Sequence, residues 1–389
     1  VLAVLALGTF AVGTDGFVLA GLLPAIAADL DVPVAVAGQL VTLFAVTYAI
    51  SAPVVAVVTA RWNRRAVLLG AQLVFAAGML AQAMGESMTV VAVGRAVAAV
   101  GASAYAPTAS SVASALAPPE RRGRALATVL GGLTLATVLG VPLGVLLSGW
   151  GSWRTTLLVV TALGVVAALG TVVVPPVRLP VADPRSRLTV LRRPGVLTTL
   201  LTTMMTMAGA FTVYTYLSEL LSPVAAGGTL GVLLFVYGAA GVAGNTAAGR
   251  LTDRHGARAV VVVALASLSV LLLAWPAARL HLVAATALLL LWGALGWMFS
   301  APQMHRLIET VPDAAPVALG WSSSATYAGT ALGSLLGGVV LDVAGAAWLG
   351  PVGAAACALA LGLVVLPRRR AARAAQSSPA ASLASASRT

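Results

Sequence analysis

Two ionisable side chains lie deep inside long apolar runs: Asp15, in the run at about 3–28, and Arg95, in the run at about 88–116. A charge at the centre of a bilayer costs about 2.5–3.5 kcal/mol on insertion scales, so such residues face a bundle interior or a wet cavity. There a carboxyl group can exchange a proton as its surroundings alternate between wet and dry. An arginine keeps its proton, so Arg95 is expected to hold Asp15 charged or to bind an anionic or polar group of a substrate. The alternatives are a polar helix–helix contact for Asp15 and a hydrogen-bond hub to helix carbonyls for Arg95. Depth separates the two. Asp15 lies 13 residues before the end of its run near Ala28, about 20 Å at 1.5 Å per residue, and Arg95 lies 7 residues from Met88, about 10 Å. The difference, about 10 Å, exceeds a direct contact unless helix tilt or a shifted helix boundary closes it; water or substrate could bridge it. Glu219 and Asp342, near helix ends, are expected to be interfacial.

No other constellation suggests catalysis. The histidines at 255, 281 and 305 lie in or near loops without metal-ligand spacing, Cys357 is the single cysteine, and no nucleotide-binding loop occurs. No cofactor and no metal are expected. A membrane-embedded enzyme would need a cluster of histidine with carboxylates, and a sensor would need an attached signalling domain. A nucleotide-driven pump is disfavoured on the same grounds.

The elements that must position Asp15 and Arg95 follow from composition. Of 389 residues, 60% are hydrophobic and only 9% charged, against roughly 25% charged in soluble domains. Twelve apolar runs, each near the roughly 20 residues that cross a bilayer as helix, fall at about 3–28, 34–60, 66–85, 88–116, 124–150, 154–174, 196–221, 229–251, 258–276, 281–304, 316–341 and 346–366. All 23 basic residues are Arg, and the net charge is +12. Twenty of them lie in even-numbered loops or after the last run. Basic residues mark the cytoplasmic side, which predicts a multi-pass protein of a bacterial inner membrane with both termini cytoplasmic. Arginines scattered over loops, with no soluble module to carry them, also argue against a nucleic-acid partner. The triplet Ala25-Ile26-Ala27 resembles a signal cleavage site, but its apolar run is too long and lacks a preceding basic segment, so the first helix is expected to stay.

The polar interruption from Pro175 to Pro194 divides the chain. The expected organisation is an N-terminal six-helix bundle at 1–174, a cytoplasmic linker at 175–194, a C-terminal six-helix bundle at 195–366 and a disordered cytoplasmic tail at 367–389. The halves echo each other: Arg61-Trp62-Asn63-Arg64-Arg65 ends the second run, and Gly249 to Arg258 ends the eighth, with Arg61 and Arg254 separated by 193 residues. The fifth run carries Gly131, Gly132, Gly140, Pro142, Gly144 and Gly149, and the eleventh carries Gly329, Gly333, Gly337 and Gly338. Spacing of four puts Gly329, Gly333 and Gly337 on one face, where small residues let helices approach. Repeated halves with a site between them are a transporter architecture.

These motifs, in order and on the expected helices, make the chain resemble the major facilitator superfamily, and within it the twelve-helix drug:proton antiporters, including bacterial efflux proteins for chloramphenicol, sugars or purines. The loop pattern G-x-x-x-D-R-x-G-x-R is met by Gly249, Asp253, Arg254, Gly256 and Arg258. Its first copy keeps Arg61, Arg64 and Arg65 but has Ala56, Ala60 and Asn63 where the pattern has Gly, Asp and Gly. The resemblance implies that this loop helps latch the cytoplasmic side, and the missing carboxylate at Ala60 weakens that expectation for the N-terminal half. The fourth-helix pattern is met by Arg95 and Gly101, and the fifth-helix antiporter pattern by Gly131, Gly140, Pro142 and Gly144. Gly13-Thr14-Asp15-Gly16-Phe17 followed by Gly21-Leu22-Leu23-Pro24 resembles the efflux pattern G-T-x-E-F…G-L-L-P with the acid displaced by one residue, leaving Gly16 at the Glu position. Helices one, four, seven and ten line the cavity in that family, which makes Phe17, Tyr105, Tyr214, Tyr216, Trp292 and Trp297 candidates for it, interfacial anchoring being the other reading of these aromatics. Asn245, on helix eight, joins them as a polar cavity or interhelical group.

The sequence reading is therefore an all-α membrane protein of twelve transmembrane helices in two pseudo-symmetric six-helix bundles, not an enzyme, acting as a monomer on a small-molecule substrate. It would export a small, largely hydrophobic compound by proton-coupled alternating access, with proton-coupled uptake of a sugar-like or nucleoside-like nutrient as the alternative.

Overall fold

The computed structural model describes residues 1–178 and 189–376, and it is helical with no strand among them. Twelve helices follow in order: α1 Leu2–Asp29, α2 Val34–Val58, α3 Arg64–Met84, α4 Met88–Leu116, α5 Arg122–Trp150, α6 Trp153–Val173, α7 Val196–Tyr214, α8 Gly227–His255, α9 Ala257–Leu273, α10 Leu282–Thr310, α11 Ala315–Ala344 and α12 Leu349–Gln376. Eleven of these stretches are long and apolar enough to cross a membrane; α9, at 17 residues, falls short alone and is prolonged by the short helix Trp275–Ala278. All twelve apolar runs thus become helices. Half of the expected linker, 179–188, lies outside the described residues. The expected tail meets α12, which runs on to Gln376, and its remainder lies outside the described residues.

The halves are built alike. In the first, α1 packs on α5, α2 on α4 and α3 on α6; in the second, α7 packs on α11, α8 on α10 and α9 on α12. Adding six to each helix number converts one set into the other. The two seams between the halves, α2 with α11 and α5 with α8, are related in the same way. The glycine stripe on α11 does what its spacing predicts. A Cβ at Gly329, Gly333 or Gly337 would stand 2.3, 2.2 or 2.6 Å from the carbonyl oxygens of Met204, Ala208 and Thr212 on α7, a matching row of spacing four.

Helix α5 is not regular. Ala136–Gly140 forms a π-turn in which the Val141 N–H reaches the Ala136 carbonyl, and Pro142, which has no N–H to offer Val138, follows it. Around this turn α5 meets α1 on one side, with Gly140 against Thr14 and Gly144 against Val18, and α8 on the other, with Gly238 against Thr137 and Val138.

The two copies of the repeated loop differ in backbone. Gly256 ends α8 at φ 79, ψ 148, a conformation open essentially to glycine alone. In the first copy Asn63 sits at φ −62, and its side chain caps α3 by accepting the Arg65 N–H. The replacement of the motif's glycine by asparagine is therefore matched by a different turn. Arg64 donates to the Thr59 and Ala60 carbonyls, tying down the end of α2, and Arg258 donates to the Val364 carbonyl on α12.

Candidate functional site

Asp15 on α1 and Arg95 on α4 are both 0% exposed and form a direct ion pair between Arg95 Nη1 and Asp15 Oδ1. Arg95 Nη2 also donates to the Asp15 carbonyl (3.3 Å), and Nε donates to the Leu40 carbonyl on α2 (3.4 Å). The guanidinium lies 4.3 Å from the centre of the Phe44 ring. Arg95 is thus both ion-pair partner and carbonyl hub. Asp15 Oδ2 is buried without a hydrogen-bond partner.

The expected gap of about 10 Å is overturned. It counted depth from helix ends taken as level. Arg154 pairs with Asp29, the last residue of α1, and also donates to the Gly85 carbonyl at 2.7 Å. The direct ion pair shows the two side chains at one depth, so helix ends taken as level were the wrong reference.

The pair adjoins the seam between the halves. Phe44 lies 6.3 Å from Tyr327 of α11, and Tyr327 stacks on Tyr48 of α2 at 3.6 Å. Beside it, Phe17 of α1 meets Phe211 and Tyr214 of α7 and Trp297 of α10, with centroids 5.9–6.2 Å apart. The cluster continues through Tyr237 and Trp292 to Trp275, and the Trp297 indole donates to the Tyr237 hydroxyl at 3.3 Å. Four of the six aromatic candidates, Phe17, Tyr214, Trp292 and Trp297, are thus brought together. Sequence reasoning missed Phe211, Tyr237, Trp275, Phe44, Tyr48 and Tyr327. Phe211 is three residues before Tyr214 and Phe44 four before Tyr48, helical same-face spacings that were a usable signal.

Three candidates lie elsewhere. Tyr105 is buried inside the first half, where its hydroxyl donates to the Leu5 carbonyl (3.2 Å). Tyr216 stands in the non-helical joint after α7, at the face opposite the termini. Its ring fills a slot between α2 and α11: a Cβ at Gly38 would lie 2.2 Å from its hydroxyl, and one at Gly337 2.8 Å from its ring. The hydroxyl donates to the Ser334 carbonyl (3.1 Å) and accepts from Gln39 (3.3 Å), while Ser334 donates to the Gly38 carbonyl (3.2 Å). Asn245 is exposed and makes no hydrogen bond to another helix among the described residues.

The position of Asn245 shows how the seams end. Seven residues nearer the opposite face, Gly238 packs on Thr137 and Val138; seven residues from Val138, Gly131 is part-exposed with nothing within 4 Å of an added Cβ. α8 thus touches α5 on the far side, and the same face of α8 is exposed toward the termini. Gly249, Asp253 and Arg254 at the end of α8, and Arg122 and Arg124 at the start of α5, are exposed there. On α2 the contacts stop near Tyr48, beyond which Ile50, Val54, Val57 and Val58 are exposed. Among the antiporter-pattern residues, Gly140, Pro142 and Gly144 are buried at the α1–α5–α8 junction, and Gly131 is not. On the termini face, outside the helices, Arg193 makes two 2.6 Å hydrogen bonds to Asp313. They hold the Asp313 carboxyl below its ordinary value and raise the arginine.

Comparisons agree with this architecture. The family model described as Major Facilitator Superfamily matches residues 5–313 and 225–388. The chain is 35% identical over 372 residues to a chloramphenicol resistance protein of Streptomyces lividans, covering 93% of this chain and 94% of that one. It is 30% identical to the inner membrane transport protein YdhP of Escherichia coli K12, covering 94% and 95%. A solved D-xylose-proton symporter superposes with a TM-score of 0.79 at 15% identity over 94% of this chain and 96% of its own, and the nucleoside transporter NupG with 0.77 at 12% over 94% and 98%.

Proposed function

The chain belongs to the Major Facilitator Superfamily, and from that premise we propose that this multi-pass transporter exports small, largely apolar compounds in exchange for protons. The carrying observation is the sealed Asp15–Arg95 pair, one carboxylate oxygen of which has no partner. In low dielectric an uncompensated charge is unfavourable, so a proton on Asp15 and the neighbouring guanidinium compete for the same carboxylate. Protonation frees Arg95 from Asp15 at a point where α4 touches α2, and α2 is one wall of the seam with α11. A proton thus has a differential effect on two arrangements of the halves, as coupling requires. The aromatic cluster around Phe17 supplies apolar surface for the cargo, and the relative named for chloramphenicol resistance supports export over uptake.

The arginine bias of the loops supports cytoplasmic termini in a bacterial inner membrane. The cleft between α5 and α8 then opens to the cytoplasm in this structure, the side from which an exporter loads. The segment at 175–194 would join the two bundles there, and the loops Arg61–Arg65 and Gly249–Arg258 would meet when that side closes.

The test is transport in everted vesicles, alongside a compound-resistance screen in cells. Asp15→Asn is expected to abolish proton-driven export while the protein still reaches the membrane, and Arg95→Ala to impair it at normal expression. Undiminished export by Asp15→Asn would remove Asp15 as the coupling group. Inward movement of a nutrient in intact cells would replace export by uptake.

A further inference from the structure

We propose that the site selects uncharged aromatic compounds and that Gly16 sets this selectivity. The inference rests on the exporter reading above and goes further by fixing the charge of the cargo.

From Ala11 to Ala20 every residue of α1 is buried except Gly16 and Phe17. Phe17 faces Phe211, Tyr214 and Trp297 of the other half, so this opening in the packing of α1 looks into the space between the halves. Phe17, Phe211, Trp297 and Tyr327 are part-buried and offer ring surface to it. Gly16 offers room: an added Cβ there would meet nothing within 4 Å.

The charges near this space are unavailable to a ligand. Asp15 precedes Gly16, but about 100° round the helix, which turns its carboxylate into the first half against Arg95. Both side chains are 0% exposed. At the termini-face mouth the exposed Arg122 and Arg124 on α5 and Arg250 and Arg254 on α8 outnumber the exposed acids Asp253 and Glu120, so the rim is net positive. A permanent cation would pass this positive rim and then sit in a low-dielectric site without a counter-charge, at a steep cost. An anion would pass the rim but find Arg95 sealed. An uncharged arene meets neither penalty and gains ring contacts. A carboxylate at position 16 would fill the open space and supply the counter-charge that Asp15 withholds.

The experiment uses one arene in three charge states: 4-nitrobenzyl alcohol, 4-nitrobenzyl-trimethylammonium and 4-nitrobenzoate. Their binding to the full chain in nanodiscs is read by tryptophan quenching, because Trp297 lines the site. The alcohol is expected to bind at least tenfold more tightly than either ion. Gly16→Glu should raise affinity for the trimethylammonium compound at least tenfold, and Gly16→Leu, which fills the space without charge, should weaken the alcohol without favouring the cation. Wild-type binding of the cation as tight as that of the alcohol overturns the inference, whatever the variants do. So does a folded Gly16→Glu protein with the wild-type ranking. Failure of the exporter reading looks different: the binding order holds, but none of the three compounds moves with the proton gradient in vesicles.

Discussion

Replacing Tyr216 by Phe removes the hydrogen bonds of its hydroxyl across the seam. The hydroxyl donates to the Ser334 carbonyl of its own half at 3.1 Å, shares that proton with the Ala35 carbonyl of α2 at 3.4 Å, and accepts from Gln39 of α2. Because the single proton goes mainly to the nearer Ser334, the Gln39 bond carries most of what opposes separation of the halves on the face away from the termini. Gln39 keeps a hydrogen bond to the Ala35 carbonyl at 3.2 Å, so its amide is not orphaned. The net loss is then that of an ordinary hydrogen bond, about 0.5–1.5 kcal/mol, which is roughly a 2- to 13-fold shift toward the arrangement open on that face. Gly38→Ala should act in the same direction and further, because its Cβ would stand 2.2 Å from the Tyr216 hydroxyl and the ring would have to leave its slot. Double electron–electron resonance between spin labels at Val36→Cys on α2 and Val343→Cys on α11, both exposed, reads the population directly; the native Cys357 is buried and stays unlabelled. Both variants should enrich the longer distance. Unchanged distance distributions in both would refute the reasoning that this slot holds the far face shut.

Asp15→Asn leaves the Arg95 charge buried without its partner, so thermal unfolding in detergent should show a loss of about 3–5 kcal/mol. Adding Arg95→Met should recover most of it without restoring export, and a double variant no more stable than the single one would contradict the pairing. Gly256→Ala, at φ 79, should cost about 1–3 kcal/mol, whereas Asn63→Gly, which restores the loop motif, should cost only a few tenths of a kcal/mol as a cap exchange; chemical denaturation compares them. The Arg193–Asp313 pair lowers the Asp313 carboxyl from 3.8, so its contribution is complete above that value and is lost as the pH falls through the depressed one. The stability difference between wild type and Asp313→Asn should accordingly be small at pH 7, shrink with salt, and vanish in strong acid.

Which parts of this molecule could be read from sequence follows from what each part depends on. Helix existence depends on apolar run length, and all twelve runs became helices. The stripe Gly329, Gly333, Gly337 depends only on periodicity and found its partner row on α7. The meeting of Asp15 with Arg95 was not readable, because it depends on the relative heights of helix ends. Tyr105 and Tyr216 were misassigned for a related reason: helix membership places a residue on an element but not at a depth or on a face. The break at Thr215–Tyr216 that turns Tyr216 into the α2–α11 slot carries no proline or glycine to announce it.

The π-turn in α5 is a phase correction. Gly132 packs on the Ala6 carbonyl, Gly140 on Thr14 and Gly144 on Val18, all on α1. In a regular helix a residue advances about 100°, so Gly140 would lie about 80° and Gly144 about 120° away from the direction of Gly132. A π-turn absorbs one extra residue, and with it the offsets fall to about 20° on either side. The glycines of the antiporter pattern therefore share a face only because one residue too many is wound between them. Deleting one residue from Ala136–Leu139 would therefore turn the segment into regular helix and leave all three glycines facing α1, whereas straightening the helix without a deletion would rotate Gly140 and Gly144 off it.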